Sequence, residues 1–70
     1  MIEIKAELVG SVWKIVTKPG DVVTEDQTLL ILESMKMEIE VAAPRAGTVM
    51  EIRVSEADVV KEGQVLVVML

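Results

Sequence analysis

The chain carries an internal repeat. Shifted by 37 residues, positions 6–33 fall onto positions 43–70: Ala6 on Ala43, Gly10 on Gly47, Val12 on Val49 and Ile15 on Ile52. The match continues through Asp21-Val22-Val23 on Asp58-Val59-Val60, Glu25 on Glu62, Gln27 on Gln64 and Leu29 on Leu66. A repeat of this length ordinarily belongs to a stacked solenoid, but a solenoid needs three or more units. Two copies in 70 residues point instead to a pseudo-two-fold domain whose halves close one core between them. Closure also covers exposed strand edges, a liability in a valine-rich chain.

Valine, isoleucine and leucine dominate a composition that is 51% hydrophobic, and Trp13 is the sole aromatic residue. β-Branched residues favour strands, so the expected class is all-β, with residues 1–70 forming a single domain. Period-two patterning places a first strand over about 1–6, and a second after Gly10, where Val12, Lys14 and Val16 alternate with Trp13 and Ile15. Pro19-Gly20-Asp21 reads as a turn, Val22-Val23 as a very short strand, and 28–33 and 37–42 as strands flanking a reversal. Ala43-Pro44-Arg45-Ala46-Gly47 turns again before strands at 49–54, 59–60 and 65–70. Two turn positions differ between the halves. Asp26 stands where Gly63 does and tolerates a left-handed backbone. Ala57 stands where Gly20 does and tolerates it less well, so the turn at Ala57 is expected to differ in detail.

The repeat also places the middle of the chain. Moved by 37 in either direction, Lys36 falls beyond a terminus, so the counterpart of the segment around it is the gap between the two chain ends. The ends therefore lie side by side, and the Lys36 reversal projects from the opposite pole.

Charge and chemistry exclude several function classes. The formal net charge is −5, with seven basic residues scattered along the chain. Nucleic-acid affinity rests on clustered phosphate contacts, so nucleic acid is not an expected partner. An anionic membrane is excluded on the same ground, and the apolar run Val65 to Leu70 is far short of a membrane helix. No basic stretch followed by a long apolar core opens the chain, which fits a cytoplasmic protein. Histidine, cysteine and tyrosine are absent, so neither a catalytic residue nor a metal site is expected.

What remains is Glu33-Ser34-Met35-Lys36-Met37-Glu38. A lysine at a hairpin tip ordinarily just keeps the tip soluble, and methionines at i and i+2 ordinarily pack into a core. Here, however, the strands reverse within Ser34 to Lys36 without Gly, Asn, Asp or Pro, although a two-residue hairpin wants positive φ. A turn that breaks the local rule is where a functional constraint is expected.

The hexapeptide resembles the attachment motif of the biotinyl domain (biotin carboxyl carrier) family, usually Glu-Ala-Met-Lys-Met, with Ser34 in place of the alanine. Gly-Ser-Val-Trp at 10–13, Pro-Gly-Asp-Val-Val at 19–23 and Ala-Gly-Thr-Val at 46–49 extend the resemblance over nearly the whole chain. Glu7 stands where the family often has proline, Asp26 where it often has glycine, and no thumb-like insertion occurs. The resemblance implies a flattened barrel, or sandwich, of two four-stranded antiparallel sheets, with the attachment lysine on an exposed hairpin opposite the termini. It implies biotin attached covalently to Lys36 by a biotin protein ligase, with Glu33, Ser34, Met35 and Met37 as the flanking recognition motif. Met35 and Met37 would then form a soft contact surface, or else pack at the barrel end. The implied role is a non-enzymatic carrier that moves carboxyl groups between a biotin carboxylase and a carboxyltransferase, a monomer as an isolated domain. The Met1 start and the lack of a Pro/Ala-rich linker fit a small free-standing carrier, and an excised domain of a larger carboxylase equally well. Two alternatives remain: a lipoyl-bearing carrier, whose motif usually reads Asp-Lys-Ala, and an unmodified β-barrel interaction module.

Overall fold

In the computed structural model, which describes residues 1–70, the valine-rich runs form eight strands and no helix. They are β1 (Ile2–Lys5), β2 (Gly10–Ile15), β3 (Val22–Val23), β4 (Thr28–Ser34), β5 (Met37–Ala42), β6 (Gly47–Ile52), β7 (Val59–Val60) and β8 (Val65–Met69). Two four-stranded antiparallel sheets result, ordered β1-β8-β6-β3 and β5-β4-β2-β7. Exchanging β1 with β5, β2 with β6, β3 with β7 and β4 with β8 turns one sheet into the other. This is the two-fold expected from the 37-residue shift. It reaches further than the sequence match, because β1 maps onto β5, with Ile2 on Ile39 and Glu3 on Glu40.

The irregularities obey the same symmetry. In β2, Val12 pairs with Leu32 and Lys14 with Ile31, so Trp13 is a bulge residue. In β6, Val49 pairs with Met69 and Glu51 with Val68, so Met50 takes the same place. Both bulged side chains are exposed, at 44% and 47%. The simple alternation expected over Val12 to Val16 is therefore wrong. One extra residue shifts the phase, leaving Val16 exposed and Thr17 buried. The Thr17 hydroxyl donates to the carbonyl of Leu29 at 3.0 Å, which satisfies the one polar side chain buried in the core. A second pair of bulges leaves Leu29 and Leu66 unpaired in β4 and β8, and both are fully buried.

The core is built from equivalent residues: Leu29 with Leu66, Leu30 with Val67, Leu32 with Met69, Val12 with Val49 and Val23 with Val60. Polar identities across the repeat fix turns instead. The Asp21 carboxylate accepts from the Lys18 amide at 3.0 Å, and Asp58 accepts from the Ser55 amide at 2.9 Å. Gln27 and Gln64 accept likewise from the amides of Thr24 and Lys61. The turns also cross between halves. The amide of Gly20 donates to Val49 at 2.8 Å, and that of Ala57 donates to Val12 at 2.7 Å.

These bonds explain a departure from expectation. Asp26 is left-handed at φ 69°, as its glycine-like position requires, but Ala57 is left-handed too, at φ 78°, close to Gly20 at 95°. The turn at Ala57 does not differ from its partner. The Asp58 carboxylate and the bond to Val12 over-determine its backbone, and the fold tolerates the steric cost of a Cβ there. Ala57→Gly is accordingly expected to raise stability. Relief of a strained φ, less the added freedom of the unfolded chain, leaves a gain of about 0.5–1 kcal/mol. In a domain of this size that is a rise in Tm of roughly 2–8 °C, checked by thermal unfolding. An unchanged or lower Tm would show that Ala57 carries no strain.

Candidate functional site

Strand β4 runs to Ser34 and β5 starts at Met37, with Ser34 opposite Met37 and Glu33 opposite Glu38. The turn therefore contains only Met35 and Lys36, one residue tighter than the reversal expected from sequence. Both adopt positive φ, 52° and 65°. A two-residue hairpin of this kind requires left-handed backbone at both central positions, normally supplied by Asn-Gly or Asp-Gly. A methionine and a lysine here cost about 1–2 kcal/mol each. The strand pairing on either side imposes this cost.

The base of the hairpin is clamped. The Ser34 hydroxyl donates to the Val9 carbonyl at 2.9 Å, joining β4 to the segment that leads into β2. Gly10 permits the approach: a Cβ on it would stand 2.8 Å from the Glu33 carbonyl oxygen and 3.4 Å from the Ser34 Cβ. At the other pole Gly47 stands in the same way against Leu70, so the C-terminus occupies the place that the hairpin occupies here. Sequence reasoning used Gly10 only as a break between strands and missed Val9 altogether. The signal for the clamp was present in the repeat, as the identity of Gly10 and Gly47.

Met35, Lys36, Met37 and both flanking glutamates are exposed, and Ser34 is half-buried. Met35 is 92% and Met37 64% accessible, so neither methionine packs at the barrel end. The chain's ion pairs join Arg53 to Glu3 and Glu51, and Lys36 has none. Glu33 and Glu38 face one another across the strands, a like-charge pair that adds negative potential below the amine without touching it. The five residues singled out from sequence thus lie on one projecting hairpin. It presents a single unpaired primary amine on a rigid base with two apolar side chains beside it. Such an amine suits covalent attachment of a group that must move away from the protein surface, and nothing around it encloses a substrate.

Comparison with known proteins agrees with this geometry. A family profile described as "Biotin-requiring enzyme", covering biotin and lipoyl attachment, matches residues 3–69. The biotinylated protein TB7.3 homolog of Mycolicibacterium smegmatis is 51% identical over 39 residues, which is 56% of this chain and 55% of the relative. Among solved structures, the urea carboxylase of Kluyveromyces lactis superposes with a TM-score of 0.93 at 32% identity, over 99% of this chain and 6% of that one. The lipoyl domain of the 2-oxoglutarate dehydrogenase complex of Azotobacter vinelandii superposes with a TM-score of 0.85 at 32% identity, over 100% of this chain and 96% of that one.

Proposed function

The chain belongs to the family of biotin-requiring enzymes, and on that premise we propose that a biotin protein ligase attaches biotin to Lys36, making the chain a swinging-arm carrier with no catalysis of its own. The observation that carries this reading is the placement of Lys36, an exposed and unpaired amine on a two-residue turn whose base is held by Gly10 and Ser34. Held there, biotin supplies a ureido nitrogen able to take up and release a carboxyl group. The chain supplies position. A rigid hairpin fixes the root of a long arm, so its tip sweeps a defined region between a biotin carboxylase and a carboxyltransferase.

The residues around the amine have separable roles. A lysine ammonium must lose a proton before its nitrogen can attack an acyl group. Neither Glu33 nor Glu38 pairs with it, so the base comes from the ligase. Met35 and Met37 offer polarizable, conformationally adaptable contacts to each of the three partner enzymes. Glu33 and Ser34 complete the recognition motif, the serine by holding the turn at a set distance from Val9. A lipoyl group on the same lysine is the second reading, favoured by the full-length likeness to a lipoyl domain. The methionines that flank Lys36 favour biotin.

The test is co-expression with a biotin protein ligase followed by intact mass. One biotinyl increment is expected, and the purified product should then take up label from bicarbonate when given ATP and a biotin carboxylase. A lipoyl increment, or no increment, would overturn the reading.

A further inference from the structure

A groove of about 150 Å³ lies between the edges of β1 and β5. Its floor is Ile4, Leu8, Leu32, Ile39 and Val41, and its rim carries Lys5, Glu7 and Glu40. Ile4 and Val41 are equivalents in the repeat, so the groove straddles the pseudo-two-fold. It is nonetheless one-sided. At the hairpin end its wall is Leu8, next to the Val9 carbonyl that holds Ser34. The equivalent of Leu8 is Arg45, whose guanidinium instead bonds to the carbonyls of Ala46 and Leu70, and no matching groove exists there. The chain therefore keeps an apolar recess only on the side that faces Lys36.

We propose that this groove is a resting site for the ring of the group carried on Lys36, a compact uncharged bicycle made of a cyclic urea fused to a thioether ring. The proposal rests on the reading of Lys36 given above. Tethering makes the ring the favoured occupant. Ile39 is three residues along β5 from Lys36, about 10 Å at strand spacing. The side chain and the acyl chain together place about eleven bonds between Cα and the ring, or ~13 Å at full extension. Met37, Ile39 and Val41 share one face of β5, so an apolar track leads from the turn into the recess. A cavity of this volume admits a small ring. The thioether ring matches the aliphatic floor. The rim matches the urea: the Glu7 carboxylate accepts from an N–H group, and the Lys5 ammonium donates to its carbonyl. Partner enzymes then compete with the groove, so the ring is withheld from solvent between encounters.

The experiment uses the biotinylated protein with the adduct first verified by mass, so that failure of attachment is seen separately. Methyl resonances of Leu8, Ile39 and Val41 are expected to move between the unmodified and modified proteins, while those of Val23 and Val54 stay fixed. Capture by streptavidin is expected to be about two- to fivefold faster for Leu8→Ala and Glu7→Gln than for the unaltered sequence, since docking lowers the free fraction of the ring. Glu7 is exposed, so its variant keeps the fold should Leu8→Ala lose it. Shifts confined to residues 34–38, or equal capture rates for Glu7→Gln and the unaltered sequence, would overturn the proposal. Shifts in the groove that vanish on dilution would assign it to a second copy of the chain and overturn it equally.

Discussion

Lys36→Arg is expected to abolish modification completely while leaving the fold unchanged. Arginine keeps the positive charge, the length and the exposure, and it bears the same φ of 65° at the same cost. It loses the nucleophile, because a guanidinium does not give up its proton in a protein. The side chain forms no ion pair whose loss would be felt, and surface changes of this kind stay within about 0.5 kcal/mol. After co-expression with a ligase, intact mass should therefore show only unmodified protein, and Tm should match that of the unmodified parent. The other lysines, at 5, 14, 18 and 61, provide the control within the same molecule, since each carries the same amine without the turn. Persistence of an adduct in the variant would place attachment on one of them and remove the argument from geometry.

The second large effect lies in the core. Leu29→Ala and Leu66→Ala each empty a fully buried position at a bulge, where the side chain is the wedge between the sheets. Loss of a buried leucine costs about 2–5 kcal/mol, through lost burial and the cavity left behind. A domain of this size holds a total of about 4–10 kcal/mol. Either variant should therefore lose about a fifth of its stability or more, with the urea midpoint falling and the m-value unchanged. Because the two positions are equivalent in the repeat, the losses should agree to within about 1 kcal/mol. A loss below 1 kcal/mol at one site alone would show that the two halves do not share the load.

Much of this could be read from the sequence, and the reason is duplication. A repeat that aligns Val12 with Val49, Val23 with Val60 and Leu29 with Leu66 marks the core, since both copies must fill one interior. It also locates the Lys36 reversal by elimination, as the segment with no copy. The face of Val16 was misread because the bulge at Trp13 leaves no mark in hydrophobic periodicity beyond one broken step. Ala57 was misjudged because its strain is imposed by hydrogen bonds from another part of the chain. The equivalence of β1 and β5 was half hidden, since Lys5 and Ala42 share nothing but a register position. The clamp was half legible: the identity of Gly10 with Gly47 marks the close approach, but the Ser34 hydroxyl donating to the Val9 carbonyl depends on how two distant segments meet.

The interlocking of the two halves affects when the lysine becomes usable. Turns of the first half donate to carbonyls of the second, and those of the second donate to the first. Until β6 and β8 have been made, the inner faces of Leu30 and Leu32 have nothing to pack against, and the hairpin they support has no fixed base. Contacts so distant in sequence form late and together. A nascent or truncated chain thus contains Lys36 without displaying it. On the proposed reading of Lys36, attachment by a ligase is tied to completion of the fold, so only a finished molecule would be marked for service.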